Sequence, residues 1–244
     1  MSRNQSIRIL ATLALAGTAA FAGTTAATAA TPAEGAGAAI TQAEPAPVAP
    51  AEPVPVENLQ TDIGTAQAAT DTYWATHWNE FFDGSYTPPL VVGLYDGTNP
   101  ATAPVCGGLP LGPGNAYYCP EGDYVAWDAG LMTGGYQSGD AWPYLVVAHE
   151  WGHAIQNRLP QSLITAAPEL QADCFAGASL FGAAADGTLV FEDGDQQELV
   201  AALSALADQT PWTQAGDHGD AMERVSAFSS GREGGVEACL PQEQ

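Results

Sequence analysis

The chain has 244 residues, of which 28 are Asp or Glu and only 5 are Lys or Arg, all of them arginine. The formal net charge of −23 argues against a protein that binds nucleic acid or an anionic membrane surface, since both kinds of binding require cationic side chains. The charge fits either solubility in salt or a preference for basic substrates, and the sequence alone does not choose between them.

The N-terminal residues have the pattern of a secretory signal peptide. The first eight residues contain two positive charges, Arg3 and Arg8, and no acidic residue, and an apolar run from Ile9 to Ala22 follows. A permanent membrane span needs about 20 apolar residues, so residues 1–29 are predicted to be a cleaved signal peptide, with an uncleaved N-terminal anchor as the alternative. The prediction is a secreted, extracellular protein without stable membrane insertion after cleavage. Association with the cell envelope and the oligomeric state stay open.

The next segment, residues 30–56, is rich in Ala, Pro and Glu and has no periodicity. Such a composition is typical of an extended linker or of a discarded pro-segment, because it cannot bury a core. All 6 Trp and all 8 Tyr lie after this segment. We therefore predict one globular domain over residues 57–244.

Periodicity predicts the elements of this domain. Aromatic residues recur at intervals of three and four from Tyr73 to Phe82, which indicates a helix with one buried face; His77 lies among them and is interpreted as a structural histidine. The predicted helices span residues 56–82, 142–158, 168–180, 196–207 and 220–228, and the predicted strands span residues 88–95 and 123–128. Gly and Ser turns are predicted after the second strand. The predicted fold class is α+β, mostly helical with a small sheet.

Four cysteines behind an export signal predict two disulfides, for which three pairings exist. Cys106 and Cys119 flank a loop rich in Gly and Pro, and a bond between them would restrain that loop. Cys174 and Cys239 then remain for each other. A zinc site made of the four cysteines is disfavoured, because none of them has Cys-x-x-Cys spacing.

The strongest motif, His149-Glu150-Trp151-Gly152-His153, lies on the predicted helix over residues 142–158. Histidines four residues apart project from the same face of a helix, so both imidazoles can bind one metal ion. The carboxylate of Glu150 lies beside that face, where it can accept a proton from water that the metal activates. A solvated polar face is the alternative, but apolar residues 145–148 lead directly into the motif. The sequence therefore predicts one Zn²⁺ ion with Glu150 as the general base.

A catalytic zinc ion usually has a third protein ligand and one open position. Glu169 and Asp173 lie four residues apart on the next predicted helix, in a mostly apolar segment. One carboxylate can bind the metal while the other accepts the outer N–H of a ligand histidine. These residues alone leave both assignments open.

Two segments carry a family resemblance, residues 145–157 (LVVAHEWGHAIQN) and residues 169–177 (ELQADCFAG). They resemble the bacterial neutral zinc metallopeptidases, and weaker matches extend the similarity over roughly residues 72–239. That family is similar to the zincins whose third ligand is a glutamate, as in thermolysin. The resemblance implies a minimal zincin-like fold with an active-site helix, Glu169 as the third zinc ligand, and Asp173 behind a ligand histidine.

The predicted function is a zinc-dependent endopeptidase in which Glu150 moves a proton from water to the leaving amine of a peptide or protein substrate. The strand at Tyr124–Trp127 is expected to be a sheet edge that aligns the substrate by strand addition. His218, oriented by Asp217 or Asp220, is a candidate donor to the negative charge that develops on the substrate; the alternative is a structural loop histidine. The alternative function is a secreted module that holds zinc and cleaves nothing.

Overall fold

A computed structural model describes residues 56–242, so the predicted signal peptide (1–29) and nearly all of the predicted linker lie outside the described residues. Within this range the helices are α1 (Val56–Phe81), α2 (Ala129–Tyr136), α3 (Trp142–Arg158), α4 (Pro168–Ala185), α5 (Asp195–Ala205) and α6 (Ala221–Gly234). The strands are β1 (Leu90–Tyr95), β2 (Val105–Cys106), β3 (Leu109–Pro110), β4 (Ala116–Cys119) and β5 (Tyr124–Asp128). The fold is α+β and mostly helical, as predicted.

The principal sheet is mixed and has the strand order β1-β5-β4. Strand β5 pairs in parallel with β1 and antiparallel with β4, and all of its residues are buried. The prediction that Tyr124–Trp127 forms a sheet edge is therefore wrong, because a strand from within the first cysteine loop covers its outer side. The edge strand that contacts helix α3 is β4 instead.

The segment after β5, predicted as turns, forms helix α2. Asp128 begins this helix by accepting a hydrogen bond from Leu131 N–H at 3.0 Å, and it also accepts the N–H groups of Gly97 and Gly114 at 2.9 Å each. Burial acts to raise the pKa of Asp128, but these backbone donors outweigh it and lower the pKa. The buried carboxylate thus ties the start of β4 to the end of β5.

Helix α3 lies in the core and is buried on nearly all sides, which is expected of a helix that is apolar around most of its circumference. Helix α4 packs closely against it at Gly152, where a Cβ atom would lie 2.9 Å from the Cα of Ala172. Helix α6 approaches α4 in the same way at Gly177, where a Cβ atom would lie 2.1 Å from the carbonyl oxygen of Phe228. These glycine contacts bring polar side chains of three helices to one place.

The two disulfides join Cys106 to Cys119 and Cys174 to Cys239, which confirms the predicted pairing. The first bridge connects the β2–β3 hairpin to the end of β4. The second connects α4 to the 3₁₀ helix at Val236–Cys239. None of the described helices has the length and apolar character needed to cross a bilayer.

Candidate metal centre

The two motif histidines and Glu169 meet where α3 packs against α4. Glu169 Oε2 lies 3.3 Å from His149 Nε2 and 3.1 Å from His153 Nε2. The two imidazole rings are nearly perpendicular, with centroids 4.8 Å apart. The geometry follows from the four-residue spacing on α3 and from the position of Glu169 in the first turn of α4.

The hydrogen bonds around this cluster fit a cation. Nδ1 of His149 lies 2.8 Å from Asp173 Oδ1, and Nδ1 of His153 lies 2.9 Å from Gln156 Oε1, so both outer nitrogens already have acceptors. Each ring therefore directs its remaining nitrogen, Nε2, at the Glu169 carboxylate. Two imidazole nitrogens that face one carboxylate are the kinds of ligand that catalytic zinc uses.

Asp173 supports His149 from behind and is itself paired. Its side chain is fully buried, and it accepts hydrogen bonds from Arg224 Nε at 2.8 Å and from Arg224 Nη2 at 2.7 Å as well as from His149. Burial acts to raise the pKa of Asp173, but the charge of Arg224 outweighs it and lowers the pKa. The structure places Glu169 on the Nε2 side of His149 and Asp173 on its Nδ1 side.

Proton affinity at the cluster reflects the same charges. Burial acts to lower the pKa of His149, but the charge and hydrogen bond of Asp173, together with Glu169, outweigh it and raise the pKa to about 10. Burial acts to raise the pKa of Glu169, but the hydrogen bonds of both histidines outweigh it and lower the pKa. The three side chains thus attract positive charge to the point where they meet.

Comparisons of the chain with models of protein families, with curated proteins and with solved structures find no match.

Two histidines, His153 and His218, are candidates for the third ligand beside His149 and Glu169. The ligand atoms of His149, Glu169 and His218 all lie within 4.8 Å of one another, and His218 Nε2 is 3.6 Å from Glu169 Oε2. His153 Nε2 is closer to Glu169, at 3.1 Å, and its side chain is less exposed than that of His218, 19% against 39%. The mutual distances within 4.8 Å are thus met with His218 and not with His153, whereas the shorter distance to Glu169 and the deeper burial favour His153 and place His218 at the rim.

His218 is oriented differently from the prediction. Its backbone N–H donates to Asp208 at 2.8 Å, and its Nδ1 lies 3.9 Å from the same carboxylate. Asp217 instead accepts from Thr213 and neighbouring groups, and Asp220 caps α6. The prediction that Asp217 or Asp220 orients His218 is therefore wrong, because both carboxylates organise backbone of their own segment.

Glu150 faces a cleft of about 500 Å³ between β4 and α3, whose walls also include His153, Glu169 and His218. Glu150 as a whole is 7% exposed. Burial raises its pKa, while the charges of the two histidines and the backbone N–H of Tyr118 act to lower it. The carboxylate therefore sits beside the ligand cluster, is open to the cleft and is not part of the cluster.

Strand β4 presents one backbone edge to this cleft. The carbonyl of Asn115 accepts from Asp128 N–H at 3.0 Å, so alternation along an antiparallel pair turns Asn115, Tyr117 and Cys119 towards β5. Ala116 and Tyr118 consequently turn their backbone groups away from β5. The N–H of Ala116 already donates to the Asn115 side chain at 3.0 Å and that of Tyr118 to Glu150, so the carbonyls of Ala116 and Tyr118 are the groups left to accept from an extended peptide.

Three residues around the site were not assigned roles from the sequence: Arg224, Gln156 and Asp208. Gln156 follows His153 by three residues on the same helix, and that spacing could have indicated a contact between the two side chains. Arg224 could have been suspected because a rare arginine in an acid-rich chain is expected to pair with a buried acid. For Asp208 the sequence offers no comparable signal, since a loop contact over ten residues leaves no periodic pattern.

Proposed function

We propose that the protein is a secreted zinc-dependent endopeptidase. The observation that carries the proposal is that Nε2 of His149 and of His153 both face the Glu169 carboxylate, beside the cleft-facing carboxylate of Glu150. The segments that hold these residues are also those that resemble the bacterial neutral zinc metallopeptidases. The export signal predicted for residues 1–29 and the two disulfides support an extracellular location.

Each residue has a defined part in peptide hydrolysis. His149, His153 and Glu169 would hold a zinc ion, which would supply Lewis acidity that lowers the pKa of water and polarises a carbonyl group. Glu150 accepts the proton that water loses as its oxygen adds to the carbonyl carbon, and Glu150 then gives this proton to the amine nitrogen as the C–N bond breaks. His218 lies at the rim, where its ring N–H can donate to the carbonyl oxygen as negative charge develops there. The outward edge of β4 holds the substrate extended.

A second function is favoured by one distance. His218 Nε2 is 3.6 Å from Glu169 Oε2, close enough that a small shift would make it a fourth protein ligand. A zinc ion with four protein ligands has no open position and is structural. The protein would then be a secreted zinc-containing module without peptidase activity. The buried, cleft-facing Glu150 favours the peptidase, since a structural zinc site does not need a carboxylate there.

The test is hydrolysis of an unfolded protein substrate by the zinc-loaded wild type and by Glu150→Gln. We expect Glu150→Gln to keep one zinc ion per chain and to lose activity by about 10²- to 10⁴-fold, the usual contribution of a general base. Glu80→Gln, a change at an exposed carboxylate on α1, is the matched control and should cleave at the wild-type rate. A zinc-loaded wild type that cleaves no peptide at all would establish the non-catalytic alternative.

A further inference from the structure

The second histidine of the motif is held by a chain of two glutamine side chains. Gln156 Oε1 contacts His153 Nδ1 at 2.9 Å, and Gln156 Nε2 donates to the Pro168 carbonyl at 2.6 Å and to Gln171 Oε1 at 3.1 Å. Gln171 Nε2 in turn donates to the carbonyls of Leu163 at 2.8 Å and Cys239 at 3.0 Å. Gln171 is 3% exposed, so its end of this chain is shielded from water.

The backbone carbonyls of Leu163 and Cys239 fix the direction of every hydrogen bond between Gln171, Gln156 and His153. Carbonyl oxygens only accept, so both protons of the Gln171 amide are used on Leu163 and Cys239, and its Oε1 must face Gln156 as an acceptor. Gln156 then spends both of its amide protons on Gln171 and the Pro168 carbonyl. Its Oε1 can only accept from His153.

The consequence at the motif is a fixed tautomer. Because Gln156 Oε1 accepts, His153 Nδ1 must carry a proton, and the lone pair of the neutral ring is left on Nε2, the atom that lies 3.1 Å from Glu169. The same Gln156 amide binds the carbonyl of Pro168, the residue directly before Glu169. One side chain thus sets both the orientation of His153 and the start of the helix that carries Glu169.

We propose that Gln156, backed by Gln171, is a positioning residue of the metal centre: it holds His153 in its metal-binding tautomer and fixes the spacing between His153 and Glu169. This inference rests on the proposed zinc site and adds a determinant of its affinity. The anchor of the chain is the Cys239 carbonyl, which the Cys174–Cys239 disulfide holds beside α4.

The experiment is a zinc titration against a competing chelator, combined with ¹H–¹⁵N spectra of the histidine side chains in the zinc-loaded protein. Gln156→Met should raise the dissociation constant for zinc about 10- to 100-fold, as loss of a residue behind a ligand does. It should also abolish the protected Nδ1–H signal of His153 while leaving that of His149 unchanged. Gln156→Glu, which keeps an acceptor for His153, should retain the signal.

Two further variants keep the test decisive. Gln156→Asn preserves the amide but shortens its reach, and it should weaken zinc binding in the same direction as Gln156→Met. Asn157→Ala, at the exposed neighbour on α3, should bind zinc as the wild type does. The inference is overturned if Gln156→Met and Gln156→Asn both bind zinc within about threefold of the wild type. A wild type that binds no zinc would instead refute the proposed metal site itself, and the inference with it.

Discussion

The two histidines of the candidate metal centre are supported by chemically opposite surroundings. Behind His149 lie a fully buried carboxylate and a buried guanidinium, Asp173 and Arg224. Behind His153 lie only neutral groups, the amides of Gln156 and Gln171 and the backbone carbonyls that orient them. A charged support makes its histidine more basic, but losing one member of the pair leaves a buried, unpaired charge that destabilises the fold. A neutral support depends instead on the accurate placement of backbone that is distant in the sequence.

The largest expected effect is on the charged side. Arg224→Met would leave Asp173 buried without its cation, and removing one member of a buried pair typically costs about 3 to 5 kcal/mol. Chemical denaturation of the metal-free protein measures the change in the free energy of unfolding. The matched control is Arg232→Met on the same helix, where the guanidinium lies over the Phe181 ring and contributes only about 0.5 to 1 kcal/mol. Equal losses from the two variants would show that the Asp173–Arg224 pair is not specially dependent on its partner.

A smaller effect is expected from the anchor of the neutral side. Replacing Cys174 and Cys239 by Ser should lower the free energy of unfolding by about 2 to 4 kcal/mol, the usual range for a native bridge. It should also weaken zinc binding, because the Cys239 carbonyl would no longer hold Gln171 in place.

The other disulfide provides the control for this prediction. Replacing Cys106 and Cys119 by Ser removes a bridge that connects β2 to β4 and has no link to Gln171. That variant should lose stability but bind zinc with nearly wild-type affinity. If both pairs of substitutions changed zinc affinity equally, the disulfide would act on the metal centre through general stability rather than through Cys239.

The last comparison is made on zinc affinity and separates the carboxylate behind His149 from the carboxylate that faces both histidines. Asp173→Asn should reduce zinc affinity about 10- to 100-fold, whereas Glu169→Ala should remove zinc binding outright because it deletes a ligand. A metal titration of both variants measures the difference. A reversed order would mean that Asp173 binds the metal and Glu169 supports a histidine, the arrangement that the sequence alone had left open.

Much of this fold could be predicted because its signals are local. The helix of the motif, the helix of Glu169 and the fold class follow from periodicity, and Pro168 marks the start of α4. The disulfide pairing could also be predicted, since Cys106 and Cys119 flank a loop that needs a restraint.

The errors concern contacts made between distant parts of the chain. Strand β5 was expected at the sheet edge, but its neighbours are chosen by packing of both sheet faces and not by its own residues. Helix α2 was missed because Asp128, which caps it, belongs to the preceding strand. Asp208 was missed as the partner of His218 because the two lie in a loop without periodicity.

The most direct test of the metal centre is a crystal structure of the zinc-loaded protein. It should show one zinc ion bound by Nε2 of His149 and of His153 at about 2.0 to 2.1 Å and by an oxygen of Glu169 at about 2.0 to 2.2 Å. A water molecule should complete the coordination, and His218 should lie beyond bonding distance on the cleft side. Zinc closed off by His218 as a fourth ligand, or zinc bound away from His149, His153 and Glu169, would contradict a catalytic centre at this position.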